Sequence, residues 1–175
     1  QKFGVSTQHY SFAIKAFVEM VKKFDMREYD FAIRETKTQE VIDDVVSLKS
    51  ELGLIYLSDF NRQAITKMLR QNGLEFVPLI ECNAYAYVWK NHPLANRKSV
   101  SFDDLADFPN MTFDQGDNST LYFAEELFAD INHNHMIKVN DRATMLNLMQ
   151  GLFGYTVCSG IICEELNGDD CVMVP

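Results

Sequence analysis

Two short polar runs carry residue types suited to holding a small ligand: Ser6-Thr7-Gln8-His9 and Gln115-Gly116-Asp117-Asn118-Ser119. Each offers hydroxyl, amide or imidazole groups that can donate hydrogen bonds. Each also stands just ahead of a stretch with helical apolar spacing, where free N–H groups and the helix dipole favour an anion. Ser6, Thr7, Gln8 and His9 on one side, with Gln115, Asn118 and Ser119 on the other, would grip a small anionic or zwitterionic molecule. The same side chains also serve as ordinary helix caps, and the residues alone leave both readings open. Arg34, beside Glu35 at a strand end, is either half of a surface ion pair or a cation aimed at the ligand. Arg142, after Asp141, is either a neighbour of a helix cap or a carboxylate clamp.

Other chemistries find little support. His133-Asn134-His135 places two imidazoles at i and i+2 with no third ligand nearby, which reads as a solvated turn and not a metal site. No metal and no cofactor is expected. Cys82, Cys158, Cys163 and Cys171 form no Cys-x-x-Cys pair and lie in apolar stretches, as reduced thiols of a cytoplasmic protein do. There is no Gly-x-Ser-x-Gly elbow, phosphate loop or Gly-x-Gly-x-x-Gly, so no enzyme is expected.

The elements around the two runs follow from periodicity. Residues 2–6 read as a strand and 10–24 as a helix, with Ala13, Phe17, Met20 and Phe24 on one stripe. A strand over 29–36, a helix over 38–49, an apolar strand over 52–57 and a helix over 61–71 come next. Asn72-Gly73 ends that last helix. This β-α-β-α-β-α alternation predicts a parallel sheet covered by helices. Then 74–81 and 84–90 read as two successive strands. A short helix over 101–106 opens on a capping box at Ser101 and Asp104. Strands are expected at 111–114, 136–139, 155–158 and 172–174. Helices are expected at 120–130 and from Asp141 to about 150, with a short turn near 164–166. The fold class is α/β: two Rossmann-like lobes joined by two crossover strands. Residues 1–79 and 155–175 form lobe I and residues 80–154 form lobe II, with the ligand cleft between them at the carboxyl ends of the strands.

The 175 residues carry 16 Lys+Arg against 25 Asp+Glu, a formal net charge of −9. A chain this acidic is a poor binder of phosphate backbone, so any contact with DNA must come from another part of the protein. No apolar run reaches the roughly 18 residues of a membrane span. No signal-peptide pattern opens the chain, and residue 1 is Gln, so a preceding segment is expected.

His92-Pro93-Leu94-Ala95, followed by the run Val100-Ser101-Phe102-Asp103-Asp104-Leu105-Ala106-Asp107-Phe108-Pro109, resembles the effector-binding domain of LysR-type transcriptional regulators. The Ser/Thr-rich turn after the first strand and Ser50-Glu51-Leu52-Gly53-Leu54-Ile55 fit the same family. The likeness spans essentially the whole chain. Asp141-Arg142-Ala143-Thr144, Gly154-Tyr155-Thr156 and Ser159-Gly160 are most similar to a Gram-positive branch, some of whose members are linked with cysteine and methionine metabolism.

The resemblance implies a type II periplasmic-binding-protein-like fold and a small-molecule effector held at the two polar turns. It implies a homodimer, tetrameric at full length, that reaches DNA only through an N-terminal winged helix-turn-helix absent from this chain. It also implies that the effector changes the geometry of the assembly. Gly154-Tyr155-Thr156-Val157-Cys158-Ser159-Gly160 departs from the family's usual Gly-Ile-Ala-Leu-Leu-Pro-like run. An extracytoplasmic solute-binding receptor of the same fold is the alternative; the cysteines, the small size and the His-Pro-Leu-Ala region count against it.

Overall fold

The computed structural model describes residues 2–24, 28–116, 121–126, 134–161 and 168–175. These divide into two compact units, residues 1–79 with 115–125 and residues 80–114 with 126–175.

The first unit is built on a three-stranded parallel sheet. Strands β1 (Lys2–Thr7), β2 (Asp30–Glu35) and β3 (Leu52–Leu54) lie in the order β2-β1-β3. Ser6 pairs with Arg34 and Thr7 with Glu35 on one side, and Thr7 pairs with Leu54 on the other. The connections are α1 (Ser11–Lys22) and α2 (Thr38–Val46), and α3 (Arg62–Gln71) follows the last strand. Helix α2 buries Thr38, Val41 and Ile42, the i, i+3, i+4 set of one face. Helix α3 buries Ile65 and Leu69 in the same way. Ile42, Ile65 and Leu69 join Phe123, which returns from far along the chain, in one buried cluster. Strand β3 is shorter than the expected 52–57. It also takes Gly53 because a Cβ there would lie 3.0 Å from methyl groups of both Val41 and Val45.

The second unit carries a five-stranded mixed sheet, order β6-β5-β7-β4-β8. Its strands are β4 (Tyr85–Trp89), β5 (Asn110–Phe113), β6 (Met136–Val139), β7 (Tyr155–Cys158) and β8 (Cys171–Val174). Helices α4 (Phe102–Leu105) and α5 (Arg142–Leu152) complete it. Strand alternation divides its core. Ala86 and Val88 pack with Leu105, Tyr155 and Val174, whereas Tyr87 packs with Met111, Val139, Met145 and Met149. The expected capping box is present: Asp104 N–H donates to Ser101 Oγ at 3.2 Å, and Ser101 N–H to Asp104 Oδ2 at 2.8 Å. Asp141 caps α5 by accepting from Thr144 N–H at 2.8 Å. His92 is buried; Leu94 N–H donates to its Nδ1 at 3.0 Å, so its Nε2–H donates to the Phe153 carbonyl at 2.9 Å.

Three expectations differ from these elements. Residues 74–81 are not a strand: no regular structure spans 74–84, and Val77 and Leu79 are more than 70% exposed. Pro78 sits in the middle of that run without an N–H for a ladder. Residues 121–126 are not α-helical; only a 3-10 turn, Leu121–Phe123, is formed there, and the rest of the expected 120–130 helix lies outside the described residues. The return of 155–175 to lobe I also differs from the strand pairing, because β7 and β8 both pair antiparallel with β4. The turn expected near 164–166 lies outside the described residues.

Candidate functional site

The carboxyl end of β1 is packed with polar side chains, all of them in the first unit. Strand alternation sends successive residues of β1 to opposite faces. Ser6 is fully buried; its hydroxyl donates to Asp44 Oδ2 at 2.6 Å and shares a hydrogen bond with Ser50 Oγ at 2.7 Å. Arg34, its register partner, reaches the same place, with Nη1 donating to Ser50 Oγ at 3.2 Å. Gly4 allows this close approach, since a Cβ there would meet Lys49 O at 3.0 Å and Arg34 Nη1 at 3.1 Å. Ser6 and Arg34 thus belong to a polar cluster with Asp44 and Ser50.

Thr7, Gln8 and His9 form a second constellation. Gln8 is 1% exposed and makes three hydrogen bonds: Nε2 donates to Thr38 Oγ1 at 2.7 Å, and Oε1 accepts from Tyr10 O–H at 2.8 Å and Tyr56 N–H at 2.9 Å. Thr38 Oγ1 in turn donates to the Phe123 carbonyl at 2.6 Å. The Thr38 N–H, at the first turn of α2, donates to Gln115 Oε1 at 2.9 Å. Gln115 Nε2 donates to Glu125 Oε2 at 2.7 Å. The other oxygen of Glu125 lies 2.8 Å from both the His9 N–H and His9 Nδ1. A carboxylate only accepts, so Nδ1 carries the proton. This pair is buried, with side-chain exposures of 6% for His9 and 3% for Glu125. Thr7 is fully buried, and its Oγ1 has no hydrogen-bond partner among the described residues. Gly116, at φ +66°, turns the chain beside Lys37; a Cβ on it would lie 3.0 Å from Lys37 Nζ.

Of the residues expected from the sequence, the fold brings Gln8, His9 and Gln115 into one network, while the Thr7 hydroxyl is buried without a bond to it. It sets Ser6 and Arg34 in the neighbouring cluster. Asn118 and Ser119 lie outside the described residues. Arg142 is the first residue of α5, in the second unit. Sequence reasoning missed Thr38, Lys37 and Glu125. Thr38 could have been found as the first residue of a helix; nothing local marks Glu125. No group of three metal-ligating side chains occurs among the described residues. A separate open groove, about 1030 Å³, runs along α3 between Arg62 and Arg70 and is lined also by Leu74 and Phe76; none of the candidate residues lines it.

The family model of the LysR substrate-binding domain matches residues 9–175. The chain belongs to this family. Its fold is therefore the type II periplasmic-binding-protein-like α/β fold, and domains of this family belong to transcriptional regulators, not to enzymes. Similar solved structures include HinK, a LysR family transcriptional regulator from Pseudomonas aeruginosa, at 17% identity and a TM-score of 0.60. The alignment covers 99% of this chain and 57% of HinK. The effector-binding domain of QuiR in complex with shikimate is 20% identical with a TM-score of 0.64, over 99% of this chain and 79% of that one. The oxidized form of OxyR is 19% identical with a TM-score of 0.56, over 100% and 79%. No curated protein matches the chain. This LysR substrate-binding domain thus spans little more than half of the regulator HinK. No described helix is long and apolar enough to cross a membrane.

Proposed function

We propose that this LysR substrate-binding domain senses a small anionic or zwitterionic metabolite at the carboxyl end of β1, as the ligand-responsive part of a cytoplasmic DNA-binding transcriptional regulator. One observation carries the reading. Donors from His9, in the turn after β1, and from Gln115 converge on a buried carboxylate, that of Glu125, while a buried hydroxyl, Thr7 Oγ1, is left over. A place that satisfies one carboxylate with hydrogen bonds from preorganised donors has the chemistry to satisfy another. QuiR was crystallised with shikimate, a hydroxylated carboxylate of the same chemical class. The domain pairs as a homodimer and forms tetramers at full length. DNA is reached through a winged helix-turn-helix that precedes the chain, in keeping with a net charge of −9 on this part. The effector acts by changing the geometry of that assembly, a coupling of about 1–3 kcal/mol.

The test is a thermal-shift screen across amino acids, acetylated serine analogues, succinate, shikimate and sulfate. A true effector at about 100 times its dissociation constant adds about 2.7 kcal/mol. For a chain of this size that is a rise of roughly 5–11 °C. A best ligand that is a cation, or no stabilising carboxylate or oxyanion, would contradict the reading. Small-angle scattering with and without the ligand reads the change in assembly; identical curves would remove the geometric switch.

A further inference from the structure

We infer that Glu125 is a resident competitor: its carboxylate fills the position the effector's carboxylate takes, and the effector binds by exchange with it. The inference rests on the proposal that effectors bind at the end of β1.

The donors offered to a ligand anion are already engaged. His9 N–H and Nδ1–H both meet Glu125 Oε1 at 2.8 Å, and Gln115 Nε2 meets Oε2 at 2.7 Å. A second anion set beside this buried charge would be repelled, because like charges are poorly screened away from water. An effector that recruited Glu125 through an ammonium or hydroxyl donor would need access to its oxygens. The Glu125 side chain is only 3% exposed and spends both oxygens on protein donors, so access requires that it move. Exchange resolves both difficulties, since the donors pass from one carboxylate to another.

The surroundings allow that exchange without unfolding the segment. Phe123 is fixed in the core of the first unit with Ile42, Ile65 and Leu69. Its carbonyl is held by Thr38, and Tyr122 stacks on Phe60 at 5.1 Å between ring centres. Glu125 lies two residues past that anchor, outside any helix or strand, so its side chain can swing on a fixed backbone. Two further polar groups stand near the network along the chain. Thr7 Oγ1, two residues before His9, is buried without a partner among the described residues, a state that costs free energy until a ligand oxygen or donor meets it. Lys37 places its ammonium beside Gly116, the residue after Gln115.

Calorimetric titration of the wild-type chain, Glu125→Gln and Glu125→Asp with succinate, shikimate and sulfate tests this. Removing the competitor raises the competent fraction, so apparent affinity rises by its inverse. The expected result is binding of the best carboxylate at least about tenfold tighter to Glu125→Gln than to wild type. Glu125→Asp, one methylene too short to reach both donor groups, gives a smaller gain in the same direction, and it carries the test if the Gln variant does not fold. Wild-type binding that is unchanged or weakened in the variants overturns the exchange while leaving the effector site standing. No binding of any probe by any of the three proteins overturns both.

Discussion

Gln8→Ala is expected to unfold this domain at markedly lower temperature, even though Gln8 stands among residues suited to ligand contact. The wild-type side chain is 1% exposed and ties the start of α2 to the residue ahead of α1 and to the segment after β3 through hydrogen bonds to Thr38 Oγ1, Tyr10 O–H and Tyr56 N–H. Each such bond contributes about 0.5–1.5 kcal/mol net, and burying a group that has lost its partner adds to the loss. Three bonds at the middle of that range give about 3 kcal/mol. The truncation also leaves a gap at the end of β1 that the buried neighbours fill only in part. At roughly 2–4 °C per kcal/mol for a domain this long, the melting temperature falls by about 6–12 °C. Calorimetric or circular-dichroism melts of wild type and variant measure this. Gln8→Glu is the companion: it keeps the acceptor for Tyr56 and Tyr10 but cannot donate to Thr38, and its loss is expected to include the cost of a buried charge. A fall below about 2 °C for Gln8→Ala would refute the reasoning, since it would mean that the three bonds do not hold the turn.

Leu48 is 84% exposed and left-handed, with φ +62° at the end of α2, so Leu48→Gly is expected to stabilise by up to about 1 kcal/mol in a denaturant titration; destabilisation would contradict it. Burial pushes the His92 imidazole below its ordinary value, against the opposing hydrogen bond to the Phe153 carbonyl. A depressed histidine gives stability that is complete above the unfolded value, near about 6.5, and is lost as pH falls toward the folded value. The melting temperature of wild type should therefore drop more steeply below about pH 6.5 than that of His92→Gln, and parallel curves would refute the assignment. Burial pushes the Cys158 and Cys171 thiols up to about 11, whereas Cys82 is exposed and its thiol is raised as well by its partial burial. Iodoacetamide at neutral pH should label Cys82 well before Cys158 or Cys171, as peptide mapping would show; equal labelling would contradict the packing.

The sequence was most legible where structure is local. The β-α-β-α-β-α run of the first 71 residues follows from short apolar strands alternating with helices of clear period, and the caps at Ser101 and Asp141 follow from side chains meeting backbone three residues on. It was misleading at 74–81, where apolar content imitates a strand although no neighbour pairs with it. The polar character of the β1 turn was legible, but not which partners its groups would choose. The carboxylate that holds His9 lies 116 residues away, and no periodicity or spacing announces a contact of that range. The same holds for Ser6 and Arg34, whose polar atoms turn to Asp44 and Ser50 and not toward the Glu125 network.

Nitrogen-15 NMR titration of this chain with shikimate, succinate and sulfate tests most directly whether a small anion binds at the end of β1. The result expected is a saturable shift centred on the backbone amides of His9 and Thr38 and the side-chain amide of Gln115, the groups now bonded to Glu125 or to one another. Shifts centred instead on the α3 groove or on the five-stranded sheet, or no saturable shift with any carboxylate or oxyanion, would contradict it.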